Sequence, residues 1–204
     1  MTSRARWHDM WTQLGASSSN DELYLRLVAC YAESQRKYHT MQHLAECFAH
    51  LALLHDEATR PLEIELALWF HDAIYKARRK DNEAQSADWA RATVLSNGLS
   101  PDCADRIHGL VLMTKHDAVP AEPDARVMVD VDLGILGADP ERFDEYEQQV
   151  RQEYAWVPGL LYRRERRKVL QQFAARAQIY STEHFHRARE AVARANIARS
   201  LARL

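Results

Sequence analysis

Leu66–Tyr75 reads LALWFHDAIY, an apolar, helix-forming run in which His71 and Asp72 stand side by side. Burying an imidazole and a carboxylate between Phe70 and Ala73 is costly unless something satisfies both. Pro61 opens the segment, and proline is tolerated at a first helical position, so the pattern predicts a helix over 61–75. The pair then falls near the end of a core helix. The fold must supply its partners from elsewhere in the chain.

The bulk composition says what kind of fold that is. The chain has 204 residues, enough for one good core or at most two small domains. Gly and Pro are scarce at 6 each, so the expectation is all-α. A formal net charge of -2 argues against a dedicated nucleic-acid binder. No segment reaches the length of a membrane span, and MTSRARWHDMW has no apolar signal region, so the expected location is cytoplasmic. Cys30, Cys47 and Cys103 are scattered without CxxC spacing and read as reduced residues, not a disulfide frame or zinc knot.

Working outward, helix signals follow one another. Asn20 is a plausible N-cap for a helix over 21–33, with Leu23, Leu25, Leu27, Val28 and Tyr31 apolar. A second helix spans 40–56. DNEAQSADWARATVL predicts a helix ending near Asn97-Gly98, and Ser100-Pro101 starts another running to about His116. After DAVPAEPDA, the run RVMVDVDLGILG is read as helix because no second strand exists to pair with it. Helices beginning at DPERF, PGLLY and Ser181 or Thr182 complete a bundle of about eight or nine, read as a single domain over 1–204.

Most histidines need no special account; His8, His50, His55, His184 and His186 sit at surface-like or terminal positions. The others form an ordered set. RKYHTMQHL places His39 and His43 four apart, so both are expected on one helix face. His71-Asp72 follows, then His116, then Asp130 and Asp132 in an apolar run. Imidazole nitrogens and carboxylate oxygens are ligands for borderline or hard divalent cations. An ion would satisfy the buried pair and fix the imidazole tautomer. The duller reading, a helix-capping His71-Asp72 with the Asp exposed, does not explain the rest of the set.

RKYH, then a His-Asp pair closing an apolar helix, then a distant Asp in VDVDLGIL resembles the HD superfamily of metal-dependent phosphohydrolases. The closer likeness is to a predicted HD-phosphohydrolase family with similar YH…H, WFHDAIY, DNE…SA, T.H, D.DL.ILG and R.EY blocks, from about residue 20 to the last helix. The resemblance implies an HD-type helical bundle with His39, His71, Asp72 and one late Asp as ligands. Superfamily helices tend to place apolar residues five and six positions after the ligand, so the resemblance favours Asp130, followed there by Ile135 and Leu136, over Asp132, which would have Gly137 and Ala138; Asp132, His43 and His116 stay as alternates. Many members carry a glutamate three positions after the paired Asp. Here that position is Tyr75, and Glu83 could substitute. Two-metal members add further histidines, for which His116, His43 or His108 give an incomplete set, so one divalent ion is expected (Mn, Fe, Co, Ni, Zn or Mg).

Such an ion lowers the pKa of water and neutralises a phosphoryl oxygen. Arg36, with Lys115 or His116, could supply further positive charge to phosphate. The expected catalytic set is therefore Asp72, Glu83, Arg36, Lys115 and His116, acting on a nucleotide or another small phosphorylated metabolite. A non-catalytic sensor or scaffold is the alternative, and a homo-oligomer stays open. From Leu160 to Leu204 there are eleven Lys or Arg against three Glu, which raises an RNA-associated reading. Pairing with the acidic helix DPERFDEYEQQVRQEY is the simpler account of that charge.

Overall fold

The computed structural model describes residues 3–18 and 20–204. Among them the chain is all-α, without strands. Ten helices follow in order: α1 (Arg4–Leu14), α2 (Asp21–Tyr31), α3 (Met41–Leu53), α4 (Pro61–Phe70), α5 (Asn82–Ser96), α6 (Pro101–Met113), α7 (Pro123–Asp132), α8 (Pro140–Glu153), α9 (Gly159–Ala174) and α10 (Glu183–Arg203). Short 3-10 turns cover His55–Glu57 and Leu133–Gly137. No described helix is long and apolar enough to cross a membrane.

α4 is the axis. Every residue from Glu63 to Phe70 is buried, as expected of a helix that is apolar around most of its circumference and packed on all sides. α1, α3, α5, α6 and α7 surround it. Its two buried acids are matched from neighbouring helices: Arg106 donates to Glu63 through Nε and Nη2 at 2.8 and 2.6 Å, and Arg6 Nε donates to Glu65 at 2.9 Å. Trp69 packs edge-on against Trp7, ring centroids 5.1 Å apart, and lies 5.4 Å from Phe48.

Three differences from the sequence reading carry physical reasons. α1 is additional to the expected helices; Trp7, Met10 and Trp11, spaced three and one apart, are fully buried, and Gly15 at φ 84° ends the helix in a left-handed cap. α4 stops at Phe70 and not at Tyr75: the chain tightens there, Ala73 N donating to the Phe70 carbonyl at 2.9 Å, and the Arg36 guanidinium takes the Asp72 and Ala73 carbonyls at 2.5 and 2.9 Å. The run 126–137 is helical only to Asp132, then tightens into the 3-10 turn. Gly134 and Gly137 make that turn possible: a Cβ on the first would overlap the His50 ring, and on the second would lie 2.7 Å from Arg189 Cβ.

The acidic and basic C-terminal segments do pair. Arg166 bonds Glu147 and donates to Tyr146 Oη at 2.8 Å, while Arg199 and Arg203 reach Asp144 at 2.9 and 3.0 Å.

Candidate metal centre

Three helix ends converge on a single point. His43 projects from the first turn of α3, whose N-cap is Thr40. His71 is the C-cap of α4 with Asp72 next to it, and Asp132 is the last residue of α7. His71 Nε2 lies 3.1 Å from His43 Nε2, 3.0 Å from Asp72 Oδ2 and 3.6 Å from Asp132 Oδ1. His43 Nε2 lies 3.2 Å from Asp132 Oδ1 and 3.5 Å from Asp72 Oδ2. Cys47 sits one turn beyond His43, its Sγ 3.7 Å from Nε2. His43, Cys47, His71 and Asp132 form a group that could hold a metal ion, with all ligand atoms within 4.8 Å of one another.

The donor chemistry fits a cation. Donors at about 2.0–2.1 Å from one ion are about 2.9–3.4 Å from each other in octahedral or tetrahedral shells. The five separations above run from 3.0 to 3.6 Å. His71 Nδ1 lies 2.7 Å from the Leu68 carbonyl, a contact only the N–H form makes, which directs the Nε2 toward the cluster. Burial would lower the His71 pKa, but the Asp72 charge and hydrogen bonds donated to Asp132 and Asp72 carry it well above the usual imidazole range. Burial would likewise raise Asp132; hydrogen bonds from His116, His43 and His71 hold it well below the usual carboxylate range. The two carboxylates thus draw positive charge into a site where His43 and His71 point nitrogen at nitrogen. Burial pushes the Cys47 thiol well up, so as it stands it is a protonated thiol behind His43.

His116 supports the cluster from outside. Its Nε2 donates to Asp132 Oδ2 at 2.9 Å, and its backbone sits at φ 58°, an uncommon conformation for a residue with a Cβ. Its carbonyl accepts from Arg176 Nη2 at 2.8 Å.

Three expected residues lie elsewhere. Asp130 is not with the histidines: two positions along a helix is about 200° of rotation, so it leaves α7 on the far side from Asp132. There its Oδ2 accepts from Ser181 N at 2.8 Å, Thr182 N at 2.7 Å and Thr182 Oγ1 at 2.7 Å, fixing the approach to α10. Burial raises its carboxyl to about 6 against those bonds.

His39 does not share a helix face with His43. It precedes the Thr40 cap and its Nδ1 donates to Glu153 Oε2 at 2.7 Å. Glu153 Oε1 collects the Lys37, Tyr38 and His39 N–H groups at 2.7, 2.9 and 3.1 Å, and Tyr75 Oη donates to Oε2 at 3.0 Å. Tyr75 also stacks on the His39 ring, centroids 4.0 Å apart.

Arg36 is not free for phosphate. Its side chain is fully buried, bonding Glu33 at 2.9 Å and the carbonyls of Asp72 and Ala73.

Glu83 and Lys115 both border the cavity that opens onto the centre, about 990 Å³ in volume, together with His39, Asp72, His116 and Asp132. That volume is at the upper end of the range of small-molecule sites. Lys115 is exposed, its Nζ 2.7 Å from Asp117. His108 faces Asp88 at 3.2 Å, away from the cluster.

Glu153 and Cys47 are the residues that the sequence reading gave no role. Glu153 had a visible signal: it follows Tyr146 and Val150 on the buried face of α8, where an unpaired carboxylate is costly. No protein-family model matches the chain, and no curated protein or solved structure matches it.

Proposed function

We propose that the chain is a metal-dependent phosphohydrolase of the HD type, cleaving a small phosphate ester, with His43, His71, Asp72 and Asp132 as ligands of one divalent cation. The observation that carries this reading is the meeting of two imidazole and two carboxylate groups at the floor of a substrate-sized cavity. A divalent cation there supplies two things phosphoryl transfer needs, a lowered pKa for water and neutralised charge on phosphoryl oxygen.

The chain's own groups do the rest. Glu153 holds His39 by Nδ1, leaving the other ring nitrogen of this cavity-lining residue to move a proton. In the reaction water adds to phosphorus, the ester P–O bond breaks, and the departing oxygen takes a proton from His39; the proton released by water restores it. Lys115, at the rim, is placed to meet a phosphoryl oxygen. Arg36 acts at one remove, holding the chain at Asp72 and Ala73 so that the His71-Asp72 pair faces inward.

The test is elemental analysis with a phosphate-ester panel on wild type, Asp132→Ala, His39→Gln and Glu83→Gln. Asp132→Ala loses ion and turnover together. His39→Gln keeps the ion and loses turnover about 100-fold or more, the scale of general acid–base catalysis; Glu83→Gln changes it little. If ion-loaded wild type hydrolyses nothing across nucleotides and simple monoesters, the hydrolase reading fails. A ligand-binding sensor then takes its place, a reading kept in view by Tyr75, a phenol committed to Glu153 where related proteins are expected to carry an acid.

A further inference from the structure

The cavity has two unlike halves. The candidate centre and Lys115 form one; the other is a wall built by α9 and the turn before it, including Trp156, Leu161, Tyr162, Val169 and Phe173. Of the sixteen residues of α9 only Arg166 and Leu170 are buried. Trp156, Leu161 and Val169 keep 50%, 40% and 38% of their surface open. Residues 161, 165, 169 and 173 are spaced by four, so one helical face is turned to the cavity along its length. Apolar surface left open beside a reactive centre matches an apolar ligand.

The charge inventory is equally specific. Three cationic side chains line the cavity, Lys115, Arg166 and Arg176, against five carboxylates. All three already have partners, Lys115 in Asp117 at the exposed rim, Arg166 in Glu147 and Tyr146, and Arg176 in the His116 carbonyl. A divalent ion offsets the surplus of two carboxylates, and the proton that His39 carries for the leaving oxygen is the one positive charge over. One phosphoryl group can be accommodated; the three or four charges of a polyphosphate meet like charge.

Two buried phenols in the lining have no hydrogen-bond partner among the described residues, Tyr38 Oη and Tyr162 Oη. Tyr38 is 5% exposed, and its ring lies 4.7 Å from that of His43. A buried hydroxyl left unpaired is costly and is resolved by a polar atom arriving from outside.

We infer that the substrate is a phosphate monoester carrying a single phosphoryl group on a bulky apolar body, with the body against α9 and Tyr38 donating to the phosphoryl end. The catalytic half of this statement rests on the hydrolase reading; the binding half does not.

Binding of methyl-, butyl-, hexyl- and octylphosphonate to the metal-loaded protein is measured by calorimetry, alongside hydrolysis of the matching alkyl phosphates, adenosine monophosphate and adenosine triphosphate. Affinity is expected to rise about two- to fourfold per methylene, as burial of a CH₂ predicts. Leu161→Asp and Val169→Asp, both at open positions, should flatten that dependence with circular dichroism and metal content unchanged. Tyr38→Phe should weaken all the phosphonates alike, about tenfold, and leave the slope. Binding that ignores chain length, a slope unmoved by both α9 variants, or preference for the triphosphate overturns the inference. Chain-length-dependent binding without turnover sinks the hydrolase reading and leaves this one standing; turnover that ignores chain length does the reverse.

Discussion

His39 Nδ1 lies 2.7 Å from Glu153 Oε2, joining residues 114 positions apart. The same carboxylate gathers three consecutive backbone N–H groups and the Tyr75 phenol. One side chain of α8 therefore shapes the whole approach to α3 and decides which way His39 points.

Glu153→Gln is expected to cost about 2 kcal/mol, the scale of hydrogen bonds to a charged group. Burial raises the Glu153 carboxyl, but the His39 hydrogen bond and charge and the backbone donors bring it down to about 2 from an ordinary 4.5. A depressed carboxyl stabilises the fold above pH 4.5 and loses that contribution as pH falls toward 2. Burial lowers His39, yet Asp72 and Glu153 raise it above 6.5, so its contribution is full below 6.5 and lost as pH rises through the folded value. Urea denaturation in chelator should show the wild-type advantage over Glu153→Gln largest between about pH 4.5 and 6.5. An advantage that is flat across pH 2 to 9 would contradict this assignment.

His43→Ala, His71→Ala and Asp132→Ala should each abolish stoichiometric ion binding. At about 100 times the dissociation constant, an ion stabilises the wild type by about 2.7 kcal/mol, which these variants forgo. Asp130→Asn should keep the ion. Because burial raises the Asp130 carboxyl from 3.8 to about 6, ionising it in the fold is unfavourable, and stability falls as pH rises through that interval. The Asn variant should lose this fall while staying within about 1 kcal/mol of wild type near pH 4. Metal content that follows Asp130 and ignores Asp132 would reverse the ligand assignment.

Ion uptake should release protons, since His71 is held protonated by Asp72 and Asp132 and must surrender that proton to coordinate. Calorimetry in two buffers of different ionisation enthalpy measures the number released. For each proton, apparent affinity should weaken about tenfold per pH unit on the acid side. Equal enthalpies in both buffers would count against imidazole coordination.

Arg36→Ala should unfold the site and not merely weaken phosphate binding. Removing the guanidinium strands the Asp72 and Ala73 carbonyls and takes the donor from the Glu33 carboxylate, a loss of about 3 kcal/mol or more. Arg36→Lys should recover little, because one ammonium cannot span the fork that reaches both carbonyls. Normal thermal stability in Arg36→Ala would restore it to the surface.

The helix order was legible wherever caps and periodicity agreed, as at Asn20 and Ser100, each of which accepts a hydrogen bond from its own first turn. The His71-Asp72 pair was legible because an acid in a core run demands a partner. The identity of the groups that meet it was not. Spacing of four suggests that His39 and His43 are equivalent, and only the Thr40 cap and a carboxylate from α8 separate them. Apolar offsets could not choose between Asp130 and Asp132, because the chain tightens at Leu133 and buries Leu133, Ile135 and Leu136 alike. α1 escaped notice because its three buried residues lie among arginine, histidine and aspartate, a weak signal over eleven positions.

α7 ends on two carboxylates, Asp130 and Asp132, that face opposite ways, one gripping Ser181 and Thr182 and the other turned toward the histidines. Its length is consequently a counted quantity. Deleting one residue between Pro123 and Asp130 would turn both carboxylates by about 100° and detach two distant parts of the molecule at once. The same deletion in the 117–122 connection, which has no helix phase to keep, would be absorbed by the loop. Among natural variants of this chain, length changes should therefore gather in that connection and be absent from the ten residues that follow it.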